Sequence, residues 1–70
     1  MDDTAYEALY RAALKADDDF ESAIRAQFGP HASRWDYHES KYNAATIAAR
    51  DAKITLDKTW LDAMRRRATP

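Results

Sequence analysis

Carboxylate side chains occupy three consecutive positions, Asp17, Asp18 and Asp19, and carboxylates can bind metals or transfer protons. Successive residues of a helix point about 100° apart, so these three cannot converge on one ion or one proton. Asp18 and Asp19 should face solvent, whereas Asp17 falls on the apolar face of its helix. Because a buried, unpaired carboxylate is costly, we predict a cross-helix polar contact from Asp17. Its candidate partners are Tyr42, Thr46 and Arg50.

The two histidines offer the other candidate for site chemistry. His31 and His38 lie near Asp36 and Glu39, but their spacing matches no familiar set of metal ligands. The chain has no cysteine, its one glycine cannot form a phosphate-binding loop, and no serine carries a nucleophile signature. These features predict a protein that is not an enzyme and that uses no metal or cofactor.

Length and composition predict a single small domain over residues 1–70. A chain of this size buries only about 60% of its unfolded surface, and 15 of its 32 apolar residues are alanine, so its own core is thin. Small domains of this kind are often stabilised by oligomerisation. The acidic N-terminus leads into no apolar run, so we expect a soluble, cytoplasmic protein without a membrane segment.

The helix-breaking and helix-capping residues predict an all-α fold, a two-helix antiparallel hairpin. Gly29-Pro30 should end the first helix, which runs from about 4 to 28 and begins with a Thr4/Glu7 capping box. After a turn at 29–33, Ser33 and Asp36 have the same capping spacing, so the second helix should run from about 34 to 67.

The apolar residues of the first helix keep one phase from end to end, which favours a continuous helix. The members of this stripe are Tyr6, Leu9, Tyr10, Ala13, Ala16, Phe20, Ile24 and Phe28. A break at residues 17–19 remains the alternative, because Asp18 and Glu21 have the spacing of a new capping box.

The second helix carries two apolar stripes, and only one can pack on the first helix. The packing stripe comprises Trp35, His38, Tyr42, Ala45, Ala49, Leu56, Trp60 and Met64; it sets Phe20 near Tyr42 and Tyr6 near Trp60. Ile47, Ile54 and Leu61 form the other stripe, at a spacing of seven.

The Ile47, Ile54 and Leu61 stripe predicts a homodimer that completes a four-helix assembly. In an antiparallel crossing centred on Ile54, Ile47 meets Leu61 of the second copy and Arg50 approaches its Asp57. Two alternatives remain, namely that the stripe binds a different protein or that the first helix covers both stripes.

The hairpin tip is the second predicted interaction surface, since Trp, Tyr and Arg dominate the energetics of protein interfaces. Its candidate partner-binding residues are Phe28, His31, Arg34, Trp35, Tyr37 and His38. Tyr37 points away from both stripes and should be exposed, whereas Trp35 and Tyr42 have the alternative role of closing the end of the core.

Charge is divided between an acidic first half, net minus four over residues 1–28, and a basic second half, net plus three over residues 29–70. Attraction between the two helices explains this division more simply than nucleic-acid binding does, because the latter needs one concentrated basic face. Arg65, Arg66 and Arg67 complement the helix dipole, with phosphate contact as the alternative. A third alternative is mimicry of nucleic acid by the acidic first helix.

The chain has an Asp-rich first helix, one Gly-Pro turn and the Ala-rich stretch RWDYHESKYNAATIAARDAKITLDKTWLDAMR. In this plan it resembles small helical accessory proteins of bacteriophages. Among these it is most similar to phage quorum-sensing anti-activators, which are dimeric helical hairpins that bind a host transcriptional activator. The resemblance implies a cytoplasmic inhibitor or adaptor that acts by binding a host regulatory protein, without catalysis or cofactor.

Overall fold

The computed structural model describes residues 3–68, which form two helices joined by a loop. Helix α1 spans Asp3–Phe28 and helix α2 spans Ala44–Ala68, with a short 3-10 turn at Glu39–Lys41 between them. The helices pack side by side in opposite directions, and no strand occurs in the described range. The predicted all-helical hairpin is therefore confirmed at this level. Neither described helix has a stretch long and apolar enough to cross a membrane.

Helix α1 is continuous through the three aspartates, so the alternative of a break at residues 17–19 is wrong. It ends where predicted, because Gly29 adopts a positive φ of 126° that residues with a Cβ avoid. The amide of Gly29 donates to the carbonyl of Arg25 at 2.9 Å. The helix begins at Asp3, and the Glu7 carboxylate accepts a hydrogen bond from Arg11 rather than serving as the predicted cap.

Helix α2 begins at Ala44, so the prediction of a helix from about residue 34 is wrong. The capping residues Ser33 and Asp36 do pair, since the Ser33 amide donates to Asp36 Oδ2 at 2.9 Å and the Asp36 amide donates back to the Ser33 carbonyl at 3.1 Å. These bonds close a local turn that no helix follows. The true N-cap is Asn43, whose Oδ1 accepts from the Thr46 amide at 2.9 Å.

A polar cluster around the buried Thr46 ties the start of α2 to the end of α1. Gln27 Oε1 accepts from the Asn43 amide at 2.8 Å and from the Thr46 hydroxyl at 2.9 Å, while its Nε2 donates to the Lys41 carbonyl at 2.7 Å. Thr46 has no exposed surface. One glutamine thus pairs with a backbone carbonyl, a backbone amide and a buried hydroxyl, and that hydroxyl also lies 3.5 Å from the Ala23 carbonyl.

The core is thin, and aromatic contacts extend it. Its buried apolar residues are Ala13, Ala16, Phe20, Ile24 and Ala63. The predicted cross-helix pairs are present, because the ring centroids of Phe20 and Tyr42 lie 5.8 Å apart and those of Tyr6 and Trp60 lie 6.4 Å apart. Ile24 is the only large apolar residue of the described chain that is completely buried.

We expect Thr46→Val to lower the free energy of unfolding by about 1 kcal/mol, because the substitution removes a buried hydroxyl that donates to Gln27 while preserving shape. Thr59→Val is the matched control, since the exposed Thr59 hydroxyl bonds only within its own helix and should contribute less than about 0.5 kcal/mol. Urea unfolding followed by circular dichroism at one protein concentration measures both. Equal effects of the two substitutions would contradict a special role for the Gln27 cluster.

Candidate functional site

Eight large apolar or aromatic side chains are exposed in the described part of the hairpin. The exposed residues are Tyr10, Leu14, Trp35, Tyr37, Ile47, Ile54, Leu61 and Met64. Single exposed apolar residues are ordinary, whereas a grouped set indicates a surface that another molecule covers.

The stripe of α2 lies where its helical phase predicts, outside the contact with α1. Ile47, Ile54 and Leu61 are 38%, 56% and 40% exposed. An open groove of about 460 Å³ lies along the C-terminal part of this stripe. The lining residues are Ile54, Asp57, Lys58, Leu61, Asp62 and Arg65, so two acids and two bases surround its apolar floor.

The charged residues predicted to flank a dimer interface have partners within the same chain. Arg50 donates to Glu39 and to Asp51, the latter at 3.0 Å. Asp57 accepts a hydrogen bond from Lys53, one turn earlier on α2. Any contact between Arg50 of one copy and Asp57 of another would therefore exchange an existing ion pair for a new one.

A second cavity, of about 210 Å³, lies beside the stripe, where α1 and α2 meet. Its lining residues are Tyr10, Ala13, Leu14, Asp17, Asp57 and Trp60. Asp57 also lines the groove along α2, so the two depressions adjoin on one face of the hairpin. Sequence reasoning missed Leu14 and assigned Tyr10 wholly to the core, although both are about half exposed. The missed signal was the apolar pair at positions i and i+4 on the flank of the α1 stripe.

Asp17 contacts the second helix as expected, but the partners named from the sequence are wrong. Its Oδ1 lies 2.7 Å from the Arg34 guanidinium and 3.6 Å from Lys53 Nζ on α2. Arg34 also donates to Glu21 and lies over the ring of Phe20, 5.2 Å from its centroid. The Asp17 side chain is 41% exposed, so it borders the core instead of lying inside it.

The charges of this network stabilise one another. The hydrogen bond from Arg34 lowers the pKa of the Asp17 carboxyl below its ordinary value, against a smaller opposing effect of desolvation. Desolvation of Arg34 acts to lower the pKa of its guanidinium, but the hydrogen bonds to Glu21 and Asp17 together raise it. Arg34, predicted to bind a partner, thus fastens the loop across α1.

The loop at the hairpin tip holds Trp35 in solvent. The rings of Phe28 and Tyr37 stack at a centroid distance of 3.9 Å and an angle of 6°, while the Trp35 amide donates to Ser33 Oγ at 3.3 Å. Trp35 is nevertheless 87% exposed. Its assignment to the packing stripe of a second helix is wrong, because residue 35 lies in the loop, and so is its alternative role as a lid on the core.

The histidines and the exposed tyrosine take different roles within this loop. His38 also lies outside α2, so its place in the packing stripe is wrong; it caps the 3-10 turn by accepting from the Ser40 amide at 3.1 Å. Tyr37 is 39% exposed despite its stacking on Phe28, and His31 is exposed. Within residues 3–68, no three histidine or acidic side chains come together as a metal site would require.

The arginine tail is partly engaged within the chain. Arg67 approaches Asp3 at 3.0 Å and lies 4.5 Å above the ring centroid of Tyr6, so it joins the end of α2 to the start of α1. Arg65 lies 3.9 Å from Asp62 on its own helix. These contacts give the tail a structural role in joining helix ends.

We expect Asp17→Asn to destabilise the hairpin near neutral pH, by less than about 1 kcal/mol because the group is partly exposed. Since the folded pKa of Asp17 is lowered, its contribution is present above the ordinary aspartate pKa near 4 and is lost as pH falls through the folded value. The stability gap between wild type and variant should therefore narrow below about pH 4.

Asp18→Asn is the matched control, because Asp18 is the next residue of α1 and is exposed. Its substitution should change the free energy of unfolding little at either pH. Urea unfolding at neutral and acid pH measures the gap. A gap for Asp17→Asn that is unchanged between the two conditions would contradict the ionic contribution.

Comparisons of the chain with models of protein families, with characterised proteins and with solved structures give no match. Inference about its function therefore rests on the surfaces of the hairpin itself.

Proposed function

We propose that the chain is a non-catalytic protein-protein interaction module. The observation that carries this proposal is the line of Ile47, Ile54 and Leu61, all exposed at heptad spacing on one side of a helix whose core contact lies elsewhere. Such a line is typical of a helix that packs against a second helix. The thin core adds support, since covering this line would add the apolar burial that one hairpin lacks.

The first partner that we propose is a second copy of the chain. An antiparallel crossing centred on Ile54 sets Ile47 of one copy against Leu61 of the other and completes a four-helix assembly. The same crossing brings Arg50 near Asp57 of the second copy, and four charges of balanced sign border the groove that receives it. Because the groove is bordered by equal numbers of acidic and basic side chains, it can pair with a second copy of itself more readily than it can bind a polyanion such as nucleic acid.

The second partner that we propose is a regulatory protein, bound at the loop where Trp35 is exposed. The hydrogen bonds that Ser33 donates to Asp36 and accepts from the Trp35 amide, with the ion pairs of Arg34, hold the backbone around Trp35 in place. Little backbone entropy is therefore lost when the indole is buried. The resemblance in size and plan to phage anti-activators gives the direction of the proposal, an inhibitor or adaptor in the cytoplasm of a bacterial host that acts on a transcriptional regulator.

Sedimentation velocity at micromolar concentration tests the proposed dimer. We expect wild type to sediment as a dimer and Ile54→Asp as a monomer, because the substitution sets one carboxylate opposite another at the centre of the apolar contact. Thr55→Asp, an exposed neighbour that points about 100° away, is the matched control and should remain dimeric. A monomeric wild type, or a dimer unaffected by Ile54→Asp, would contradict the proposal.

Affinity capture from a bacterial lysate tests the proposed target. We expect a protein that is retained by wild type and by Lys41→Ala, an exposed control in the same loop, to be lost with Trp35→Ala or weakened with Tyr37→Ala. Since an interface residue of this type contributes at least about 2 kcal/mol, the captured amount should fall by more than about tenfold. Retention of the same proteins by Trp35→Ala would refute binding through this loop.

A further inference from the structure

We propose that Trp35 of one chain inserts into the cavity lined by Tyr10, Leu14 and Trp60 of a second copy, and that the second copy does the same in return. This inference rests on the proposed dimer, and it makes the second copy and the proposed regulatory protein competing partners of Trp35. It assigns an occupant to each of two features that the single hairpin leaves open. One is an indole that is 87% exposed, and the other is an apolar cavity of about 210 Å³.

The loop that carries Trp35 and the cavity lie on the same face of the hairpin. Tyr10, Leu14, Asp17 and Glu21 fall within about 60° of arc on α1. Arg34 binds the carboxylates of two of these residues, Asp17 and Glu21, so the loop next to Trp35 lies along this arc. The other two line the cavity, which adjoins the groove of the α2 stripe through Asp57.

The register of the hairpin gives the levels along this face. Tyr10 packs against Trp60 at a centroid distance of 5.6 Å, and Asp17 lies 3.6 Å from Lys53, so Ala16 is level with Ile54. With a twofold axis at Ile54, a residue that follows Ala16 in one copy lies level with the residue that precedes Ala16 by the same number of positions in the other copy.

Arg34 is fastened at the levels of Asp17 and Glu21, one and five residues after Ala16. In the second copy, these levels correspond to positions one to five residues before Ala16, residues 11–15 of α1. Leu14 and Ala13 of the cavity lie within this range, and Tyr10 lies next to it. The twofold contact thus brings the Trp35 loop of each copy over the cavity of the other.

The chemistry of the cavity suits an indole. Its surface is almost wholly apolar and includes the aromatic rings of Tyr10 and Trp60, which matches the indole ring. The two carboxylates among its lining residues pair with cations, Asp17 with Arg34 and Lys53 and Asp57 with Lys53, so no unpaired charge opposes the entry of an apolar ring. A second copy is favoured over an unrelated protein because the charges along this face are balanced in sign and because one chain supplies both the indole and its cavity.

Mixing two defective variants tests this reciprocal insertion. Trp35→Ala removes the indole, and Leu14→Arg fills the entrance of the cavity from a half-exposed position that should not disturb folding. Each variant alone forms a dimer with no intact indole-cavity pair, whereas a mixed dimer restores one. We expect the mixture to associate roughly tenfold or more tightly than either variant alone, as measured by sedimentation of a labelled chain. A mixture that associates no more tightly than the stronger of the two variants would overturn the inference.

Disulfide trapping provides an independent measurement, because the chain contains no native cysteine. Leu14→Cys and Trp35→Cys chains, mixed and oxidised, should form a crosslinked heterodimer within the distance limits of a disulfide. Leu14→Cys mixed with Lys41→Cys, whose loop position lies away from the indole, should crosslink far less.

The outcomes separate this inference from the dimer on which it rests. A monomeric wild type refutes both. A dimer that Ile54→Asp disrupts, but that shows neither complementation nor crosslinking from residue 35, overturns the insertion alone. Emission of a Trp60→Phe chain, whose only tryptophan is Trp35, should shift to shorter wavelength as concentration rises through the dimerisation range. An unshifted emission in the dimer would show that Trp35 stays in solvent and would contradict insertion.

Discussion

The bond between the buried hydroxyl of Thr46 and the side-chain amide of Gln27 is the constraint on which the rest of the hairpin depends. It lies at the junction of the helices, where Gln27 also holds the Asn43 amide and the Lys41 carbonyl. These bonds fix where α2 begins and how it is rotated about its axis. That rotation directs Lys53 and Trp60 toward α1 and leaves Ile54 facing outward.

The loop between the helices packs along the face of α1 that contains Asp17 and Glu21. Arg34 crosses α1 to Asp17 and Glu21, and Phe28 stacks on Tyr37, so residues 29–43 fold back along the hairpin instead of extending α2. The loop lies over the part of this face near Asp17 and Glu21 and leaves the part around Leu14 exposed. Exposed apolar surface of this kind marks a site where another molecule can bind.

Local rules and periodicity predicted much of the fold. The Gly29-Pro30 stop, the continuity of α1 and the pairing of Phe20 with Tyr42 follow from residue type and helical phase. The start of α2 could not be predicted in this way. Ser33 with Asp36 and Asn43 with Thr46 are both acceptable caps, and the choice between them depends on Gln27, sixteen residues before Asn43.

Of the candidate surfaces, the sequence predicted the stripe on α2 but not the cavity on α1. The phase of α2 identified the outward stripe, whereas the exposed cavity on α1 depends on which part of that helix the loop covers. The partners of Asp17 were missed because long side chains reach beyond the positions that phase alone brings together, as both Arg34 and Lys53 do. Exposure of Trp35 follows from the loop path and has no signal in periodicity.

The concentration dependence of thermal unfolding tests most directly the claim that a second copy covers the apolar face. If the folded state is a dimer, the unfolding temperature of wild type should rise steadily as the protein concentration is raised from the low micromolar range, because mass action favours the associated state. The Ile54→Asp chain should unfold at a lower temperature that does not change with concentration. A wild-type unfolding temperature that is independent of concentration would show that the hairpin folds alone, and would contradict the claim.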